Sequence, residues 1–188
     1  MATEGLEQAI EVAKGVLAGV KPEQLDDPTP CKSWKVKDVI NHMVGGTYFF
    51  ATATNTGESI DDGSEAPDFS AGDYLAAYDE GSKQAIAAFG APGALEKIVK
   101  LPFGEFPGAG FMGLATTDTL THAWDLAKAT GQNTDLAPGL AEQVLAGARA
   151  AIPDAVRGDE PMPFATEQPC PDGASAADRL AAFLGRSV

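Results

Sequence analysis

Apolar residues recur at helical spacing through long stretches of this chain, and clusters of Gly and Pro cut those stretches apart. Residues 4–20 carry Leu6, Ala9, Ile10, Ala13, Val16, Leu17 and Val20 on one face, the i, i+3, i+4 recurrence of an amphipathic helix. Lys21-Pro22 ends that run. The same reading predicts helices over residues 35–53, 71–89, 111–130 and 138–152, and a short one over 174–184. In the third, Tyr74, Leu75, Tyr78, Ile86 and Phe89 are the expected core residues, and Ala91-Pro92-Gly93 breaks it. Gly131 is a natural stop for the fourth. Residues 96–103 suit a short extended segment, followed by a Gly/Pro loop from Gly104 to Gly110. Residues 57–71 form a polar, acidic loop. Residues 153–173 contain five prolines and are expected to strap across the surface. The long helices and moderate connections predict an all-α fold, a four-helix bundle with extra C-terminal helices.

A chain of 188 residues with 44% apolar content is large enough to bury a core as one domain over 1–188. Its formal net charge of -14 argues against nucleic acid, because a phosphate-binding surface needs surplus Lys and Arg. It equally disfavours an anionic membrane. The acidic N-terminus lacks the apolar run of a secretory signal, and no stretch is long and apolar enough to span a bilayer. A cytoplasmic location is therefore expected, with Cys31 and Cys170 free rather than bridged.

The chain contains two histidines, each four residues after an aspartate: Asp38 precedes His42 and Asp118 precedes His122. A gap of four puts both side chains on one helix face, one turn apart. On the fourth predicted helix Asp118, His122 and Asp125 form one narrow stripe. On the second, Asp38, His42, Gly45 or Gly46, and Phe49 form another. If the stripes face each other, His42, Asp118 and His122 make a two-histidine, one-carboxylate set, and three protein ligands leave a position open for water or substrate. Gly45 and Gly46 would leave room beside it. Asp38 or Asp125 would suit the carboxylate that orients a ligating imidazole; Asp38 would equally suit a favourable charge in the first turn of its helix. An isolated Asp-x3-His pair is as readily a surface pair or a satisfied buried histidine.

The segment Thr29-Pro30-Cys31-Lys32-Ser33-Trp34-Lys35-Val36-Lys37-Asp38-Val39-Ile40-Asn41-His42-Met43-Val44-Gly45-Gly46 resembles the opening motif of the metal-binding domain of mycothiol-dependent maleylpyruvate isomerase, a branch of the DinB-like superfamily. The segment from Asp118-Thr119-Leu120-Thr121-His122 through Ala123-Trp124-Asp125-Leu126 to Gly131 resembles its second motif. Arg179-Leu180-Ala181-Ala182-Phe183-Leu184-Gly185-Arg186 is similar to the close of the single-domain members. The resemblance covers nearly the whole chain. It implies a four-helix bundle holding a divalent metal, usually zinc, on one histidine and a carboxylate-x3-histidine pair. Carried over, the ligands are His42, Asp118 and His122. The isomerase has glutamate where this chain has Asp118, and a C-terminal domain that contributes to its active site. These departures turn the expectation from maleylpyruvate isomerisation itself toward thiol S-transfer.

The expected activity is thus a metal-dependent thiol S-transferase or isomerase. A metal-held thiolate, mycothiol being the family's thiol, would attack a small-molecule electrophile. A thiol-independent metal hydrolase or lyase and a degenerate, non-catalytic metal-binding fold are the alternatives. Nucleic acid and membrane are not expected partners; a homodimer is compatible with a bundle. Among the remaining residues, Trp34 and Trp124 read as core packing with the indole N–H satisfied. Cys31 reads as structural rather than as a ligand or nucleophile. Glu105 reads as a solvated loop residue rather than a base. Arg179 and Arg186 suit either a substrate carboxylate or, for Arg186, a helix-terminal charge.

Overall fold

The computed structural model describes residues 2–59, 66–102, 104–158 and 165–188. Its helices are α1 (Glu4–Ala18), α2 (Val36–Thr56), α3 (Tyr74–Gly90), α4 (Gly108–Ala129), α5 (Pro138–Ala151) and α6 (Ala176–Phe183), with two strands, β1 (Ile98–Leu101) and β2 (Gly104–Pro107), between α3 and α4. The fold is all-α, with one small hairpin at its edge. None of the helices among the described residues is long and apolar enough to cross a membrane.

Helices α1 to α4 form the bundle. Helix α2 packs on α3 and α4, and α1 packs on α4 and α3, so α2 and α4, the two histidine helices, are neighbours. Helices α5 and α6 pack on each other and against α4. The apolar stripe of α1 faces inward as its spacing predicts, from Leu6 to Leu17, with Val20 buried just beyond. In α3, Tyr78 and Phe89 are buried while Tyr74, Leu75 and Ile86 are only partly so. Every residue of α4 from Thr119 to Ala127 is buried. A helix covered on all sides needs no single apolar stripe, and this one carries threonines, a histidine and an aspartate into the interior.

Local signals account for several boundaries. Asp38 in the first turn of α2 accepts the Lys35 backbone N–H at 2.8 Å, and Asp73 caps α3 by accepting the Ala76 N–H at 3.0 Å. Both satisfy or reinforce donors that a helix start leaves exposed. Gly131 follows α4 with φ of +70°. Gly81 lets α3 approach α2, since a Cβ there would lie 1.9 Å from Thr47 Oγ1.

The Gly104–Gly110 segment, expected as a loop, is instead the second strand of the hairpin and the start of α4. Strand β1 pairs antiparallel with β2, Val99 opposite Phe106 and Lys100 opposite Glu105. Helix α4 therefore begins at Gly108, three residues before the apolar pattern suggests. Its first N–H groups are capped by backbone: Gly108 N–H donates to Lys97 O (2.7 Å) and Ala109 N–H to Leu95 O (2.9 Å). A Cβ at Gly108 would sit 2.0 Å from Ala94 O, so the glycine that looks like a loop residue is what allows this docking. Of the expected loop at 57–71 and strap at 153–173, residues 60–65 and 159–164 lie outside the described residues.

Candidate metal centre

Helices α2 and α4 bring the two histidine stripes face to face. Asp118 Oδ1 lies 3.2 Å from His42 Nε2 and 3.6 Å from His122 Nε2. One ligand atom from each of the three residues falls within 4.8 Å of the others. Around a tetrahedral ion with bonds of roughly 2.1 Å, donor atoms stand about 3.4 Å apart, so the two measured separations bracket the spacing such an ion requires. The imidazole rings meet edge to face, their centroids 4.6 Å apart.

The protonation pattern also suits a cation. His122 Nδ1 is 3.0 Å from Asp125 Oδ2, and Asp125 is fully buried. A carboxylate accepts only, so His122 donates from Nδ1; in the neutral tautomer its Nε2 lone pair then faces Asp118. Positive charge between them, whether an Nε2 proton or a metal ion, offsets the Asp118 carboxylate. Burial alone would raise the Asp118 carboxyl, but the charge of His122 and the hydrogen bond from His42 hold it below its ordinary range. Burial opposes charging of His42, yet the hydrogen bond and charge of Asp118 outweigh this and raise its pKa.

Asp125 is held in turn by Arg186, whose Nε donates to Oδ1 (3.2 Å) and Nη2 to Oδ2 (3.0 Å). Burial alone would raise Asp125; His122 and Arg186 together lower it. The result is a chain from Arg186 through Asp125 to His122. The family model described as the mycothiol maleylpyruvate isomerase N-terminal domain matches residues 6–127.

The chain belongs to that family. It is a DinB-like, mycothiol-related family of metal-binding proteins, and the converging donors of α2 and α4 are a candidate metal-ligand group of the kind it implies. Two uncharacterized proteins of Mycobacterium tuberculosis, MT0763 and Rv0738, are each 46% identical to the chain over 97% of its length and 96% of theirs. No solved structure matches the chain. The family match includes His42, Asp118, His122 and Asp125 and ends before Arg186.

Asp38, one of the two aspartates expected to orient an imidazole, caps its helix instead; Asp125 takes that role. Trp34 departs from the core reading. It is half-buried, its ring centroid 4.8 Å from that of His42 and 5.5 Å from that of His122. A tight turn delivers it: Trp34 N–H donates to Cys31 O (3.1 Å), Thr29 N–H donates back to Trp34 O (3.2 Å), and Ser33 adopts a left-handed φ of +69°. Trp124 is buried as expected, its indole N–H donating to Asp178 at 2.8 Å. Glu105 lies on the exposed hairpin beside Lys100. Arg179 pairs with Glu142 at the surface.

Cys31 and Cys170 are both free. Cys31 lies close enough to His122 and Asp125 to form a second possible donor set. That set is committed otherwise, since Asp125 is clamped by Arg186 and holds the His122 Nδ1 proton. Burial pushes the Cys31 thiol up, which keeps it protonated and poorly nucleophilic. The role of Arg186 had no signal in the sequence, because its partner lies 61 residues away.

A cleft of about 1800 Å3 opens beside the cluster, with His42, Asp118, Gly45 and Gly46 in its wall. His42 and Asp118 face this opening, while His122 is nearly buried behind them.

Proposed function

We propose that the protein is a divalent-metal enzyme, with zinc as the metal, that joins a low-molecular-weight thiol to a small electrophile. Within this family mycothiol is the natural thiol, and the reaction is S-transfer or a thiol-assisted isomerisation. The observation that carries the reading is the placement of Asp118 Oδ1 between the Nε2 atoms of His42 and His122. These three would be the ligands. A divalent ion there supplies positive charge that lowers a thiol's pKa and keeps the sulfur nucleophilic at neutral pH.

The chain's own groups prepare that chemistry. Asp125, clamped by Arg186, accepts a hydrogen bond from His122 Nδ1–H and so leaves the Nε2 lone pair free to bind a metal. Trp34 packs against both rings of the imidazole pair. Gly45 and Gly46 keep the opposite side clear: a Cβ at Gly45 would meet only Phe69, 3.9 Å away, and one at Gly46 would meet Phe50 and Asp118 no closer than 3.8 Å. The electrophile would therefore approach through the cleft.

The test is consumption of mycothiol with a panel of electrophiles, by protein with and without zinc. The reading requires a zinc-dependent rate that falls in His42→Ala and His122→Ala. A rate no greater than that of the metal-free control, across the panel, would refute thiol transfer.

A further inference from the structure

We infer that the cleft accepts an uncharged, apolar electrophile and that its side chains, apart from any bound metal ion, discriminate against carboxylates. The inference rests on the proposed S-transfer and names its substrate class. Phe49, Phe69, Leu114, Leu140 and Val144 line it, with Asn41, Thr116, Thr117 and Gln143 as neutral polar groups. Among the described residues in its wall, the only acidic, basic or imidazole side chains are His42 and Asp118. Residues 60–65, 103 and 159–164, outside the described ones, contain no Lys or Arg. The cation that does reach the cluster, Arg186, is held by Asp125 on two hydrogen bonds.

A carboxylate entering such a cleft would lose its hydration without a guanidinium or ammonium to replace it, and that cost is large. In the metal-free site it would also meet the like charge of Asp118, in a protein whose formal net charge is -14. An uncharged aryl enone or ester loses little hydration and gains by burying its apolar surface. Its reaction balances without an oxidant or a leaving group. The thiol sulfur's electron pair forms a C–S bond at the β-carbon, the alkene pair moves toward the carbonyl oxygen, and the thiol's proton ends on the α-carbon.

Two glycines in the wall allow a test that spares the fold. A Cβ built at Gly113 or Gly147 meets nothing within 4 Å, and replacing a helical glycine by leucine improves helix propensity. Binding of methyl cinnamate and of cinnamate is measured by calorimetry on the full chain. Chelator is present, so that a metal ion cannot recruit the acid, and no thiol is added. The ester should bind at least about tenfold more tightly than the acid. Gly147→Leu, or Gly113→Leu should the first misfold, changes the apolar surface of the cleft and should shift the ester's affinity at least about threefold at unchanged melting temperature. Gln143→Arg, on the α5 wall, should narrow or reverse the preference. Acid binding equal to or tighter than ester binding would overturn the inference, as would ester binding indifferent to the leucine. Because no thiol or turnover enters this measurement, intact binding preference with no thiol consumption would refute S-transfer alone.

Discussion

Arg186 grips Asp125 with two hydrogen bonds, Nε to Oδ1 at 3.2 Å and Nη2 to Oδ2 at 3.0 Å, joining the C-terminal segment to the last turns of α4. Asp125 is fully buried and also holds His122. One ion pair therefore supports both the packing of the C-terminal segment and the orientation of an imidazole in the candidate site.

Removing the guanidinium leaves a buried carboxylate short of its partner. Arg186→Met should destabilise the protein by about 3–5 kcal/mol, read by urea denaturation. It should also weaken zinc binding by roughly 10–100-fold, the usual effect of losing the group that orients a ligating histidine. Arg186→Lys keeps the charge but not the fork, and should fall between the two in both measurements.

The three donors should act as one set. Elemental analysis of the purified protein should find near-stoichiometric zinc, and His42→Ala, Asp118→Ala and His122→Ala should each lose it. Thermal melting of the unaltered protein should rise on adding zinc, because a ligand bound only by the native state stabilises it, and the three variants should show no such rise.

The two tryptophans should respond differently to metal. Trp34 lies against both imidazoles, whereas Trp124 is buried and hydrogen-bonded to Asp178. Zinc titration should change the intrinsic fluorescence of the unaltered protein. Trp34→Phe should abolish that change while leaving the Trp124 emission in place.

Acid stability depends on a separate contact between α1 and α3. Asp79 accepts hydrogen bonds from Lys14 and Lys83, which hold its carboxyl at about 2 against an ordinary value of 3.8. The folded pKa is depressed, so this contribution is complete above 3.8 and disappears as the pH falls toward about 2. Asp79→Asn should flatten the pH dependence of urea stability across that window and leave the slope at neutral pH unchanged.

Much of the fold was legible in the sequence. The helices appear where apolar residues recur at a 3.6-residue period and capping or breaking residues flank them, as with the α1 stripe from Leu6 to Leu17 and the stop at Gly131. Both signals act over a few residues. The start of α4 was not legible, because its first N–H groups bond to Leu95 and Lys97 backbone oxygens rather than to a capping side chain. Trp34 was misread for a related reason: its indole is placed by the turn from Thr29 to Lys35 and by a left-handed Ser33, which the residue types do not announce.

The candidate site divides the same way. Spacing alone placed Asp118, His122 and Asp125 on one face of a helix and His42 on a stripe of another with Asp38 and Phe49, since helix geometry dictates which side chains share a turn. That α2 and α4 are neighbours, that Asp125 rather than Asp38 orients a histidine, that Arg186 closes on Asp125, and that the described residues of the cleft wall include no Lys or Arg were decided only by tertiary packing. Each of these depends on groups far apart in the chain meeting in space, and no local pattern encodes that meeting.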